Sequence, residues 1–179
     1  PTSDRAREAL FNILGHDPEL RGTDGPLPRN AAALDIFAGT GALGLEALSR
    51  GAAHVTFLDN HAESLKLVDR NVRNLSARDS TDILRRDALN PGMPGQPYDL
   101  ILMDPPYGEG LAGPVLSSLL QNGWLKANAV IAIEVAAKEQ IDIPSGFRLM
   151  KDRKYGAARL IILRQYPDQY DDTSQIASQ

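Results

Sequence analysis

Between residues 32 and 164, short apolar runs alternate with stretches of helical periodicity, and this alternation constrains the chain more than any other feature. Residues 32–37, 54–58, 82–86, 98–103 and 129–135 read as strands, the third the weakest and Tyr98–Met103 the most apolar. Between them lie a small helix through Leu43, Ala47 and Leu48, a helix over 61–75 with Leu65, Val68, Val72 and Leu75 on one face, and a helix near 111–121. Strands that alternate with helices form a parallel sheet covered on both faces, so the expectation is an α/β fold.

Ahead of this series, Ala6, Ala9, Leu10, Ile13 and Leu14 share one helical face, which predicts a helix over 4–14. Thr2, Ser3 and Asp4 are plausible N-caps, and Gly15 is a natural stop. Residues 15–31 and 87–97, rich in Pro and Gly, read as loops. One domain over 1–166, its sheet core at 32–164, is followed by polar residues 167–179 with little to bury, expected as a disordered tail.

Composition sets the outer bounds. No apolar run nears the roughly 18 residues of a membrane helix. The absence of cysteine excludes disulfides, zinc-thiolate sites and cysteine nucleophiles, and fits a reducing, cytoplasmic setting. No signal peptide is visible, and a start at Pro1 rather than Met leads us to expect a fragment whose true beginning is missing. The formal net charge of −4 argues against a non-specific coat for nucleic acid, so any such contact must come from a local basic surface. Arg70, Arg73, Arg78, Arg85 and Arg86 form one cluster, and Lys151, Arg153, Lys154 and Arg159 another; both are equally readable as solvated surface charge. His16, His54 and His61 are scattered without carboxylates at ligand spacing, so no metal site is expected. Neither a nucleophile elbow nor a P-loop is present, and Trp124 reads as packing.

Two segments carry chemistry. In the first, Asp35-Ile36-Phe37-Ala38-Gly39-Thr40-Gly41, a strand ends in a turn of small residues and runs into a helix. Glycine allows close backbone approach, and the helix start presents unpaired N–H groups. In a doubly wound sheet nucleotide-like ligands sit in this crevice. Asp59 ends the second strand eighteen residues after Gly41, where an acid can accept from both ribose hydroxyls of an adenosine; Asn60 follows it. Asp87 and Ala88 follow the third strand, where an acid can receive an adenine amino group; an ordinary strand-end cap reads the same way. Gly39, Gly41 and Gly44 also satisfy the dinucleotide pattern G-x-G-x-x-G, so a nicotinamide or flavin remains open. Asp35, six residues before Gly41, favours S-adenosylmethionine (AdoMet), whose methionine end is charged; a pyrophosphate gains nothing from an acid there.

The second segment is Asp104-Pro105-Pro106-Tyr107, directly after Met103. An exocyclic amine on a nucleic-acid base is a poor nucleophile because its lone pair is delocalised into the ring. Two acceptors must hold its hydrogens, and the Asp104 carboxylate and the Pro105 carbonyl can do so. Prolines 105 and 106 fix φ and stiffen the loop beforehand. Tyr107 offers a ring for base stacking, a contact worth about 1–3 kcal/mol, which needs the ring and not the hydroxyl. Asp-Pro is also ordinary turn chemistry.

The blocks Pro1–Leu14 (PTSDRAREALFNIL), Leu34–Gly51 (LDIFAGTGALGLEALSRG) and Asp104–Tyr107 (DPPY) resemble the RsmD family, bacterial enzymes that methylate guanine N2 in small-subunit (16S) ribosomal RNA. The resemblance runs to about Arg164. It implies a Rossmann-like class I AdoMet-dependent methyltransferase fold: a seven-stranded, mostly parallel sheet with an antiparallel last strand and helices on both faces. Residues 147–155 and 157–164, joined at Gly156, suit that final hairpin. It also implies AdoMet as cofactor, ribosomal RNA, free or within an assembling small subunit, as partner, and no metal or membrane. The cofactor set is then Asp35, Phe37, Ala38, Gly39, Thr40, Gly41, Asp59, Asn60, Asp87, Ala88 and Asp104, with Asp104 to Tyr107 catalytic. The family often has Glu at Asp59, and a segment before the first block that this sequence lacks. Thr2, Ser3 and Arg7 are placed to approach the methionine end of AdoMet, and Thr2 and Ser3 read equally as caps of the first helix. Adenine N6 or cytosine N4 as the target, an NAD-dependent oxidoreductase, and a non-catalytic assembly factor are the rival readings.

Overall fold

A computed structural model describes residues 3–167. The expected tail beyond Pro167 and the roles weighed for Thr2 lie outside them.

Helix α1 (Asp4–His16) starts on Ser3, whose hydroxyl accepts the Ala6 N–H at 3.2 Å. Gly15 does not stop it. The helix ends at Asp17, whose extended backbone (ψ 116°) is what a residue before proline is pushed into. Asp17 then caps a short 3-10 turn, Pro18–Leu20, inside the segment expected to be loop alone.

The core follows as β1 (Ala32–Ile36), α2 (Ala42–Ser49), β2 (His54–Asp59), α3 (Ala62–Asn74), β3 (Thr81–Arg85), β4 (Tyr98–Met103), α4 (Ala112–Gln121), β5 (Leu125–Ala136), β6 (Phe147–Tyr155) and β7 (Ala158–Gln165). The seven strands lie in the order β3-β2-β1-β4-β5-β7-β6, β7 antiparallel to both neighbours. Alternation sorts their side chains into two cores. Ala33, Phe57, Leu102 and Ile162 meet α1, α2 and α3 on one face. Leu34, Met103, Ile133 and Ile161 meet α4 on the other. Strand β5 begins four residues before its apolar run, because Leu125 pairs with Tyr98.

Tyr98 and Trp124 stack with centroids 5.9 Å apart, and the Tyr98 hydroxyl donates to Thr56 Oγ1 at 2.6 Å in the interior. Trp124 Nε1 donates to the Gly92 carbonyl. The Arg86 guanidinium lies 5.8 Å from the Trp124 ring and donates to the carbonyls of Pro91 and Met93. The 87–97 loop is therefore pinned by side chains, and Arg86 belongs to its scaffold.

Candidate active site

In this sheet order the chain leaves β1 toward β2 and returns beside it as β4, so the crevice at the carboxyl ends of β1 and β4 is a topological switch point. A cavity of about 650 Å³ opens there, lined by Phe37, Asp59, Asn60, His61, Asp87, Leu89, Asp104, Pro105, Pro106, Tyr107, Glu109 and Leu111. Both sequence segments thus contribute to one cavity.

Asp59 ties its two walls. One carboxylate oxygen accepts the Gly39 N–H at 3.0 Å and the other the His61 N–H at 2.9 Å, which holds the glycine turn against the end of β2. Phe37 leaves β1 early, with a left-handed φ of 58°, and its ring lines the cavity. A non-glycine residue held there is a local cost that tends to gather at functional sites. Asp87 accepts the Leu89 N–H at 2.9 Å and shapes the turn that brings Leu89 to the rim.

The glycines divide the labour. A Cβ on Gly44 would stand 2.4 Å from the Phe57 ring and 2.8 Å from Val55, so this glycine lets α2 lie close on β2. Gly41, at φ 85°, faces Phe57 and Val68 in the same packing. A Cβ on Gly39 would find only the Phe37 carbonyl, at 3.9 Å; the space beside it is open.

Several expected residues stand apart from the cavity. Asp35 is 1% exposed and turned toward α2, where it accepts the Gly44 N–H at 2.9 Å. Burial pushes its carboxyl well above the usual range; the Gly44 bond works against this, and the charges of Asp104 and Asp59 add to it. Its described role is to fasten β1 to the helix. Ala38 is buried in the α1-side core and Ala88 in the α4-side core. Thr40 borders a separate shallow groove with Arg7, Ala42 and Asn71, its carbonyl accepting from the Asn71 amide. Arg7 pairs with Asp4 at 2.8 Å.

At the second segment, the Tyr107 ring is half exposed and its hydroxyl donates to Glu134 Oε1 at 3.1 Å. Glu134, near the end of β5, is buried. Burial, and then the Glu134 charge, push the Tyr107 phenol up to about 12. Sequence reasoning passed over His61, Leu89, Glu109, Leu111 and Glu134. Only Glu134 carried a signal, as a lone acid in an apolar strand. Among the described residues no group of three or more His, Asp or Glu side chains could hold a metal ion, and no helix is long and apolar enough to cross a membrane.

The sheet order, the antiparallel β7 and the position of the cavity define a methyltransferase of the class I fold. The solved Escherichia coli protein yhhF superposes with a TM-score of 0.78 at 29% identity, over 93% of this chain and 89% of that one. A solved Haemophilus influenzae protein gives 0.73 at 30% identity, over 93% and 100%. The model of the family described as Conserved hypothetical protein 95 matches residues 1–164. The ribosomal RNA small subunit methyltransferase D of Haemophilus influenzae is 33% identical over 160 residues, 87% of this chain and 78% of that one. Its Escherichia coli K12 counterpart is 34% identical over 158 residues, 87% and 74%. The chain belongs to this RsmD family. Methyltransferases of this class take the methyl group from a bound donor cofactor.

Proposed function

We propose that the chain transfers a methyl group from AdoMet to the exocyclic N2 of a guanine in small-subunit (16S) ribosomal RNA, working in the cytoplasm as one domain over residues 1–166. The observation that carries this reading is that Asp104-Pro105-Pro106-Tyr107 shares one cavity with Asp59 and Asp87 at the switch point. The names of the relatives support the RNA substrate.

The donor set suits AdoMet. Asp59 is placed to accept from ribose hydroxyls, Asp87 from an adenine amine, and Phe37 and Leu89 give apolar walls. The open space beside Gly39 lets a ligand approach the backbone. When bound, AdoMet supplies an electrophilic methyl on a positively charged sulfur. The protein's part is orientation. The Asp104 carboxylate and the Pro105 carbonyl accept the two amine hydrogens and point the lone pair at the methyl carbon. The amine becomes much more acidic as it is alkylated, so its proton leaves afterward to Asp104 or water, and no strong base is required. The target base must turn out of its stack to enter, and Tyr107 receives it on its ring.

Labelled AdoMet, offered with ribosomal RNA and with partly assembled subunits from cells lacking the enzyme, tests the reading. The expected product nucleoside is N2-methylguanosine. Label recovered in N6-methyladenosine or N4-methylcytidine would move the proposal to another amine, and no transfer to any RNA would end it.

A further inference from the structure

A phosphate chain must be held close to a mouth that repels it. Asp59, Asp87, Asp104 and Glu109 line the cavity. Most arginines of the 70–86 cluster are engaged within the fold. Arg73 and Arg78 pair with Asp69, Arg85 donates to the Asn60 carbonyl, and Arg86 holds the 87–97 loop.

The opposite edge of the sheet differs. β6 is the edge strand, and its residues 148–154 hold four cations, Arg148, Lys151, Arg153 and Lys154, with Asp152 as the one acid. Arg159 takes Asp152 with two hydrogen bonds, at 2.8 and 3.1 Å. Lys151 pairs with Asp17 at 2.9 Å. Arg153 and Lys154 are exposed and form no ion pair among the described residues. Lys151, Arg153 and Tyr155 floor a groove of about 790 Å³ whose other wall is α1, through Asn12, Ile13 and His16. Asp17, held by Lys151, lies beyond the helix end. Lys154, opposite Arg159, faces the other side of the sheet.

Its position is what makes the groove useful. β6 runs parallel to β4 and β5, because β7 is antiparallel to both β5 and β6. Tyr155, at the carboxyl end of β6, therefore lies at the same end of the sheet as Asp104. Three strand spacings of about 4.8 Å separate β4 from β6, about 14 Å across the sheet.

We propose that the groove between α1 and β6 holds the backbone of the RNA flanking the target nucleotide, with Arg153 contacting a phosphate. This rests on the RNA reading above. Tyr155 and Asn12 add a ring and an amide at the groove wall, the mixture that single-stranded nucleic acid favours.

The test replaces the groove cation, Arg153→Gln, keeping a polar stem at an exposed site. Lys154→Gln, on the opposite face of the same strand, and Arg29→Gln, before β1 and so at the opposite end of the sheet, are the controls. Binding of naked 16S RNA is measured against salt, and methylation of naked RNA and of partly assembled subunits is followed alongside. Each phosphate contact with a single strand contributes about 0.7 to the slope of log affinity against log salt, so losing this one lowers the slope by about 0.7. At about 0.15 M salt that slope corresponds to roughly fourfold weaker binding, and the Lys154→Gln control should show none of it. The expected result is this loss on naked RNA and a matching rise in KM, with kcat, AdoMet affinity and melting temperature unchanged. An unchanged salt slope overturns the proposal. So does a KM that rises on subunits alone, which would assign the groove to a ribosomal protein. Self-association of the Arg153→Gln variant with RNA affinity intact would instead make this cation a guard of an open sheet edge, and would also overturn it. The binding arm reads the groove even if no methyl is transferred, so its failure is distinguishable from failure of the proposed reaction.

Discussion

Tyr107→Phe isolates one atom. The hydroxyl it removes donates at 3.1 Å to Glu134, a carboxylate only 3% exposed. A hydrogen bond to a charged group contributes roughly 1.5–3 kcal/mol, and water does not easily replace a donor at so buried an acceptor, so we expect a loss of about 2–3 kcal/mol. In a chain of this size each kcal/mol moves the melting temperature by about 2–4 °C, giving a fall of about 4–12 °C. Circular dichroism melts at pH 7 would compare wild type, Tyr107→Phe, Glu134→Ala and the double variant. The double variant should lose much less than the sum of the singles, since either single change already breaks the bond. The alkaline limb gives a second reading. A phenol raised from 10 to about 12 adds stability that is complete below pH 10 and is lost as the pH climbs through 12. Tyr107→Phe should lack that limb. Melting at the wild-type temperature, or additive single losses, would refute the reasoning. If both hold, the hydroxyl that stacking does not need is what orients the stacking ring, and Tyr107→Phe should raise KM for RNA more than it lowers kcat.

Asp104→Ala should leave AdoMet affinity, read by calorimetry, nearly intact while single-turnover methylation falls by orders of magnitude; Asp104→Asn should lie between, because its amide still accepts but carries no charge. Asp59→Ala should weaken AdoMet binding by about 1–3 kcal/mol in the same titration, and amide exchange at Gly39 should quicken as its acceptor disappears. Gly44→Ala should destabilise by about 1–3 kcal/mol in urea, since its methyl would stand 2.4 Å from the Phe57 ring. Asp35 has a raised folded pKa, so its contribution to stability is present below about pH 4 and declines as the pH rises through the folded value. Asp35→Asn keeps an acceptor for Gly44 and should flatten that decline in denaturant titrations at several pH values.

The strand–helix alternation carried the parallel strands and the switch point, because burial on two faces imposes its pattern on every central strand; the antiparallel end came only from the resemblance to the RsmD family. Boundaries slipped where a local rule met a stronger neighbour. Gly15 offered a stop, but Asp17-Pro18 supplied the one the chain uses. β3 reads weakly because it is an edge strand with no fully buried residue. Within the site, a motif names residues without saying which way each one faces. The same glycine-turn string holds Gly39 beside open space, Gly44 against a ring, and Asp35 folded back on α2. Glu134 lies thirty residues from Asp104 in sequence, and only the pairing of β4 with β5 brings it to Tyr107.

That pairing also bears on how the molecule is made. β7 covers the run Val130–Ala136 of β5 along its whole length, and β7 ends at Gln165. A nascent chain that has emerged only to Gly146 has the material for five strands and the entire cavity, yet it presents β5 as an apolar, unpaired edge. Such an edge recruits strands from other chains. The hairpin of β6 and β7 contributes none of the residues that line the cavity, so shortening it should reveal itself in aggregates formed during synthesis while leaving the cavity's own residues in place.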